Sequence, residues 1–246
     1  MSRRRKRKVH KPTGSIGHIE VDPEAKTADF MPVDFPSTKA EIEQYMLRRV
    51  LASPNEAALK FYKLSGTPIR NPESHFDFTL PTINGLQYLD LMEIKPTDGR
   101  HATAPGSYWV WDFAEAVYAQ LKRKSDKYGA ERADKIHLVL YNTDWRQVPD
   151  RGVMQLLMVW LAHGTHCFRT VVNYALYGGG DGELFRLFPS RPEERRRIDV
   201  HALRKDAVMG ADFSKVRVEP GGAAVVPVSP PPPGWRPICE GCLTSA

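Results

Sequence analysis

The stretch FDFTLPTINGLQYLDLMEIKP, residues 76–96, constrains the fold more than any other part of the chain. Two runs rich in Phe, Leu, Ile, Tyr and Thr flank Asn84-Gly85, a dipeptide that favours the tight turn of a β-hairpin. Both strands carry apolar residues on both faces, as a strand inside a sheet covered on two sides does. Yet Asp77, Asp90, Glu93 and Lys95 sit among them. Strand side chains alternate between faces. Leu89, Leu91, Glu93 and Lys95 therefore share one face, and Tyr88, Asp90, Met92 and Ile94 the other. His75, Asp77 and Thr79 share a face of the first strand. Glu93 and Lys95 point at one place, and Asp77 joins them if the register allows. Asp90 faces the other way and is set aside.

The hairpin lies inside a longer alternation of elements. STKAEIEQYMLRRVLAS reads as a helix capped by Ser37 or Thr38, with Glu41 and Glu43 in its first turns. SPNEAALKFYKL reads as a second short helix with Pro at its first position. After the hairpin, YWVWDFAEAVYAQLKRKSDKYG is a long amphipathic helix. KIHLVLYNT is a central strand, RGVMQLLMVWLAHG an apolar helix, FRTVVNYALY and ELFRLF two further strands. The pattern predicts an α/β fold, one mixed central β-sheet flanked by helices. Residues 37–215 are expected to form that domain, 1–36 a basic and mostly irregular N-terminal arm, and 216–246 a Pro/Gly-rich tail. Both ends are expected to be disordered.

Two carboxylates at one site repel each other and are costly to desolvate. A divalent cation removes that cost, and Mg²⁺ binds one or two carboxylates together with waters and phosphate oxygens. A lysine beside such a site can hold an attacking water or stabilise a phosphoryl transition state. Asp77, a sixteen-residue step to Glu93, then Ile94 and Lys95, resembles the PD-(D/E)xK nuclease superfamily, the restriction-endonuclease-like fold. The resemblance covers roughly residues 37–176. It implies a Mg²⁺- or Mn²⁺-dependent nuclease acting on DNA. Asp77 and Glu93 would be metal ligands, the Ile94 carbonyl a further ligand and Lys95 the catalytic lysine. The upstream acid that the family carries on a helix is read as Glu43 rather than Glu41, because Glu43 shares spacing with Met46, Leu47 and Val50. Phe76 stands where the family has Pro, and the following helix lacks Gln-x-x-x-Tyr. The layout also resembles, more loosely, the nuclease subunit of Tn7-type transposases.

The formal net charge is +6, and the six residues Arg3, Arg4, Arg5, Lys6, Arg7 and Lys8 supply all of it (6 − 6 = 0). The remainder is nearly neutral, so the basic balance describes an arm suited to a polyanion. Lys122, Arg123 and Lys124 offer a second set of phosphate contacts, and Arg191, Arg195, Arg196 and Arg197 a third. His163, His166 and Cys167 in HGTHC, with Cys239 and Cys242 in CEGC, have the residue types of a zinc site. In place HGTHC reads as a helix-to-strand loop, and CEGC as an incidental pair in the tail or one that joins a partner's ligands. YGGGDGE lacks the Lys-Ser/Thr of a phosphate loop and reads as a hairpin turn. Three cysteines suit a reducing compartment. No run of eighteen apolar residues occurs, so no membrane association is expected. The expected setting is the cytoplasm, at the nucleoid in a prokaryote, with DNA and proteins of a transposition, restriction or defence complex as partners. The competing expectation is a catalytically inactive subunit with the nuclease fold, binding nucleic acid or a protein within a larger complex.

Overall fold

The computed structural model describes residues 16–22, 24–53, 63–71, 76–94, 107–128, 135–145, 148–176, 182–211, 215–219 and 223–234. Six strands build the central sheet: β3 (Ile69–Arg70), β4 (Phe78–Thr82), β5 (Gly85–Glu93), β7 (Ile136–Tyr141), β8 (Thr170–Leu176) and β9 (Gly182–Phe188), adjacent in that order. β5, β7 and β8 run parallel, whereas β3–β4–β5 and β8–β9 pair antiparallel. Every residue of β7 and β8 is buried. That is the burial expected of parallel strands covered on both faces. It agrees with the central position read from KIHLVLYNT.

Helices cover the two faces. α1 (Lys39–Ala52) begins at Thr38, whose hydroxyl accepts from the Glu41 N–H while the Glu41 carboxylate accepts from the Thr38 N–H. This reciprocal cap satisfies two otherwise orphaned donors. α1 packs Ile42, Met46, Leu47 and Val50 on one face, with Phe78, Leu80, Leu89, Leu91, Val139 and Tyr174. α2 (Val110–Ser125) and α3 (Arg151–His163) connect the parallel strands and pack on the opposite face. Asp150 caps α3 by accepting from the Val153 N–H at 2.8 Å. The mixed sheet between helices is therefore present as read from the sequence.

Three expectations are corrected. Residues 17–32 are not irregular: β1 (Gly17–Asp22) and β2 (Thr27–Pro32) form an antiparallel hairpin. Its turn is set by the Asp22 carboxylate, which accepts from the Glu24 and Ala25 N–H groups, and by Lys26 at φ 54. Ile16 and Phe35, on either side of the hairpin, join the α1 core. The long helix starts at Val110, because Tyr108–Trp109 form a short strand, β6, paired with β10 (Ala207–Val208). Part of the C-terminal stretch is also paired: β11 (Arg217–Val218) runs antiparallel to β12 (Ala224–Val225). The short helix expected within 53–64 falls largely outside the described residues.

Candidate active site

The hairpin places the acids, and its turn decides which of them meet. Thr82 and Gly85 close a two-residue turn over Ile83 and Asn84. The Thr82 hydroxyl donates to the Gly85 carbonyl at 2.7 Å and accepts from the Asn84 N–H at 3.2 Å. Gly85 sits at φ +94, a conformation in which a Cβ would be strained. This turn pairs Phe78 with Leu89. The next pair outward is Asp77 with Asp90, so cross-strand geometry associates Asp77 with the acid set aside from the sequence. The expectation that Asp77 shares the Glu93 face is corrected accordingly.

Asp77 is not itself in a strand, since the ladder begins at Phe78. Where β4 ends, the backbone groups of Leu91 lose their strand partners. The Asp77 carboxylate accepts from the Leu91 N–H at 2.8 Å, and the Lys124 ammonium donates to the Leu91 carbonyl at 3.0 Å. Side chains thus satisfy the groups a longer strand would have satisfied. Lys124 also pairs with the Asp90 carboxylate at 2.8 Å, and the Tyr128 hydroxyl donates to the same carboxylate. Asp90 is 1% exposed. Burial, then the hydrogen bond and charge of Asp90, push the Asp77 carboxyl up to about 6, against the opposing pull of the Leu91 N–H and Lys124. Asp90 thus favours the protonated form of Asp77.

On the other face of β5, Glu93 is half-buried and accepts from the Thr143 hydroxyl at 2.6 Å. It stands beside Tyr141 of β7 in parallel register. Burial first, then the negative charges of Glu93, Asp77 and Glu43, hold the Tyr141 hydroxyl protonated well beyond its usual range. Each of these three charges favours the neutral tyrosine. Glu43 is buried on α1 and paired with Lys39 and Arg70, each at 3.0 Å. Burial opposes the Lys39 charge, but Glu43, Asp77 and Asp90 raise its proton affinity above the ordinary lysine range. Asp77 is felt from both sides of the sheet.

Ile94 is buried, and its N–H donates to the Tyr141 carbonyl at 2.9 Å. Lys95 and Arg3, Arg4, Arg5, Lys6, Arg7 and Lys8 lie outside the described residues. Lys122 and Arg123 are exposed at the end of α2. Lys124, grouped with them as a phosphate contact, is instead committed to Asp90 and Leu91, because the α2 stripe through Leu121 and Ser125 turns it inward. Among the described residues, no group of three or more His, Cys, Asp or Glu side chains forms a ready metal cage. His166 uses both ring nitrogens, Nε2 on the Leu161 carbonyl and Nδ1 on the Phe168 N–H, and Cys167 packs on Ser125. In HGTHC, His166 and Cys167 are thus held by neighbouring residues, while His163 is exposed; Cys239 and Cys242 lie outside the described residues.

Sequence reasoning gave Lys124 a different role and missed Tyr128, Arg70 and Thr143. The inward spacing of Leu121, Ser125 and Tyr128 was a usable signal for the first two. Arg70 and Thr143 reach the acids only through tertiary structure. Comparison of the chain with protein-family models, with curated proteins and with solved structures returned no match.

Proposed function

We propose that the chain is a metal-dependent nuclease that hydrolyses DNA phosphodiester bonds. What supports this reading is the order in the fold of Glu43 on α1, Asp77 before β4 and Glu93 on β5, whose charges all bear on the Tyr141 hydroxyl although Asp77 lies opposite Asp90. Asp77 already retains a proton to about pH 6 because a second carboxylate and burial oppose its charge. A cation is the natural replacement for that proton, so the donor set fits Mg²⁺ or Mn²⁺. Asp77 and Glu93 would hold the ion, with the Ile94 carbonyl as a further oxygen. When bound it would neutralise the phosphate and lower the pKa of a coordinated water.

The protein's own groups do the rest. Thr143 orients the Glu93 carboxylate. The Leu91 N–H and Asp90 fix the Asp77 carboxyl. Lys39 and Arg70 hold Glu43 on the α1 side. Lys95, two residues beyond Glu93, would position the water or stabilise developing charge. Arg3, Arg4, Arg5, Lys6, Arg7, Lys8, Lys122 and Arg123 would neutralise backbone phosphates, and this affinity should fall steeply with salt. Such an enzyme would act in the cytoplasm, at the nucleoid in a prokaryote, alone or within a restriction, transposition or defence complex. No helix among the described residues is long and apolar enough to cross a membrane.

The absence of a three-ligand group among the described residues favours, as a second reading, an inactive nuclease-fold subunit that binds nucleic acid or a protein partner. Cleavage of circular, linear and single-stranded DNA with Mg²⁺ or Mn²⁺ separates the two readings. The wild type should cut, while Asp77→Ala and Lys95→Ala should not, although both remain folded by circular dichroism. Wild-type cleavage by both variants would overturn the mechanism.

A further inference from the structure

An open groove of about 660 Å³ lies at the start of α2, lined by Trp109, Trp111, Asp112, Glu115, Arg204, Lys205 and Gly234. Its volume lies in the range of small-molecule sites. Segments distant in the chain form it, and two of them are tied together. β6 pairs with β10, setting Trp109 opposite Ala207, and the Val110 N–H donates to the Asp206 carbonyl at 3.0 Å. The Arg204 guanidinium stands over the Trp111 ring, 5.0 Å from its centre. Trp160 of α3 meets the same ring edge-on, with centroids 5.0 Å apart and planes at 79°. Trp111 is thereby held in one orientation, while Arg204 and Lys205 remain exposed.

The lining restricts the ligand. A bare anion would suit Arg204 and Lys205 but face the exposed carboxylates of Asp112 and Glu115. A simple cation meets the reverse conflict. An apolar ligand would leave four charged groups without use. Indole faces and a guanidinium plane suit a flat π-system, as in the stacking of bases on aromatic and arginine side chains. The carboxylates suit the amino group of a base such as cytosine, and the basic pair suits a phosphate.

We propose that this groove holds an unpaired nucleobase of a nucleic-acid strand, its ring against the tryptophans and Arg204 and its phosphate on Arg204 and Lys205; the inference rests on the nuclease reading above.

The test compares binding of a labelled oligodeoxycytidylate with that of an abasic deoxyribose-phosphate chain of the same length and charge. It uses the full-length protein in EDTA, where cleavage plays no part. The wild type should prefer the base-bearing chain by roughly tenfold or more. Trp109→Leu should remove most of that preference. Arg204→Ala, an exposed position whose substitution should preserve the melting temperature, should do the same. Equal wild-type affinity for the two chains, or a preference that survives both substitutions, would overturn the proposal. Base preference without cleavage would sink the nuclease reading alone, and cleavage without base preference would sink this one alone.

Discussion

Asp90 and Glu93 stand three residues apart on β5 but live in different chemical surroundings. Asp90 faces α2, where it is 1% exposed and closed off by the Lys124 ammonium and the Tyr128 hydroxyl. Glu93 faces the α1 side, half-buried, with the Thr143 hydroxyl upon it. A charge buried with a matched counter-charge is expensive to disturb, and its strength as a stabiliser comes mainly from the penalty of separating the pair. A carboxylate retaining access to solvent can exchange its partners. The first arrangement therefore fixes the framework, and the second is available for chemistry. Asp77 lies opposite Asp90 and accepts from the Leu91 N–H, and Asp90 raises its proton affinity.

The comparison breaks most directly at Lys124. Lys124→Ala would leave the Asp90 charge buried without its ammonium, at a cost of about 3–5 kcal/mol of folding stability. Denaturant unfolding measures it. Removing both charges, as in Lys124→Met with Asp90→Asn, should recover most of the loss. Unfolding of Lys124→Ala indistinguishable from wild type would show that Asp90 is not the framework acid. Glu93→Gln tests the other side. Metal-held charge stabilisation is worth several kcal/mol, so cleavage should fall roughly 100-fold or more. Stability should change by less than about 0.5 kcal/mol, as for most substitutions outside the packed core. A variant that lost stability instead of activity would exchange the roles of the two acids.

This division of labour was only partly legible in the sequence. Alternation correctly separated Asp90 from Glu93, because each lies within a regular strand. It matched Asp77 to the wrong face of β5, because alternation within each strand does not say which faces meet across the hairpin. Parity across the hairpin depends on the turn, and a two-residue turn at Ile83-Asn84 aligns odd residues of one strand with even residues of the other. The run KIHLVLYNT announced a central strand through its unbroken apolar character, and Thr38 and Glu41 announced the start of α1. The β1–β2 hairpin escaped notice because its turn rests on the Asp22 carboxylate and a left-handed Lys26, without the usual Gly. Lys124 was grouped with its exposed neighbours by charge, although helical spacing from Leu121 turned it toward the sheet.

Asp77→Asn sharpens the comparison at its smallest scale. An unfolded Asp loses its proton near pH 3.9, whereas folded Asp77 holds it to about 6. Between these values the native state binds more protons than the unfolded state, so stability from this group falls as pH rises and the penalty is complete above about pH 6. Asparagine can still accept from the Leu91 N–H and can donate to Asp90, yet it carries no charge beside that acid. In EDTA, Asp77→Asn should match wild type near pH 4 and exceed it by about 1–2 kcal/mol at pH 7.5. Thermal or denaturant melts at the two pH values read the difference directly. A variant equally or less stable at both would mean that Asp77 is not held against Asp90. The expected gain, joined to lost cleavage, would mark Asp77 as a residue kept for chemistry at the expense of the fold.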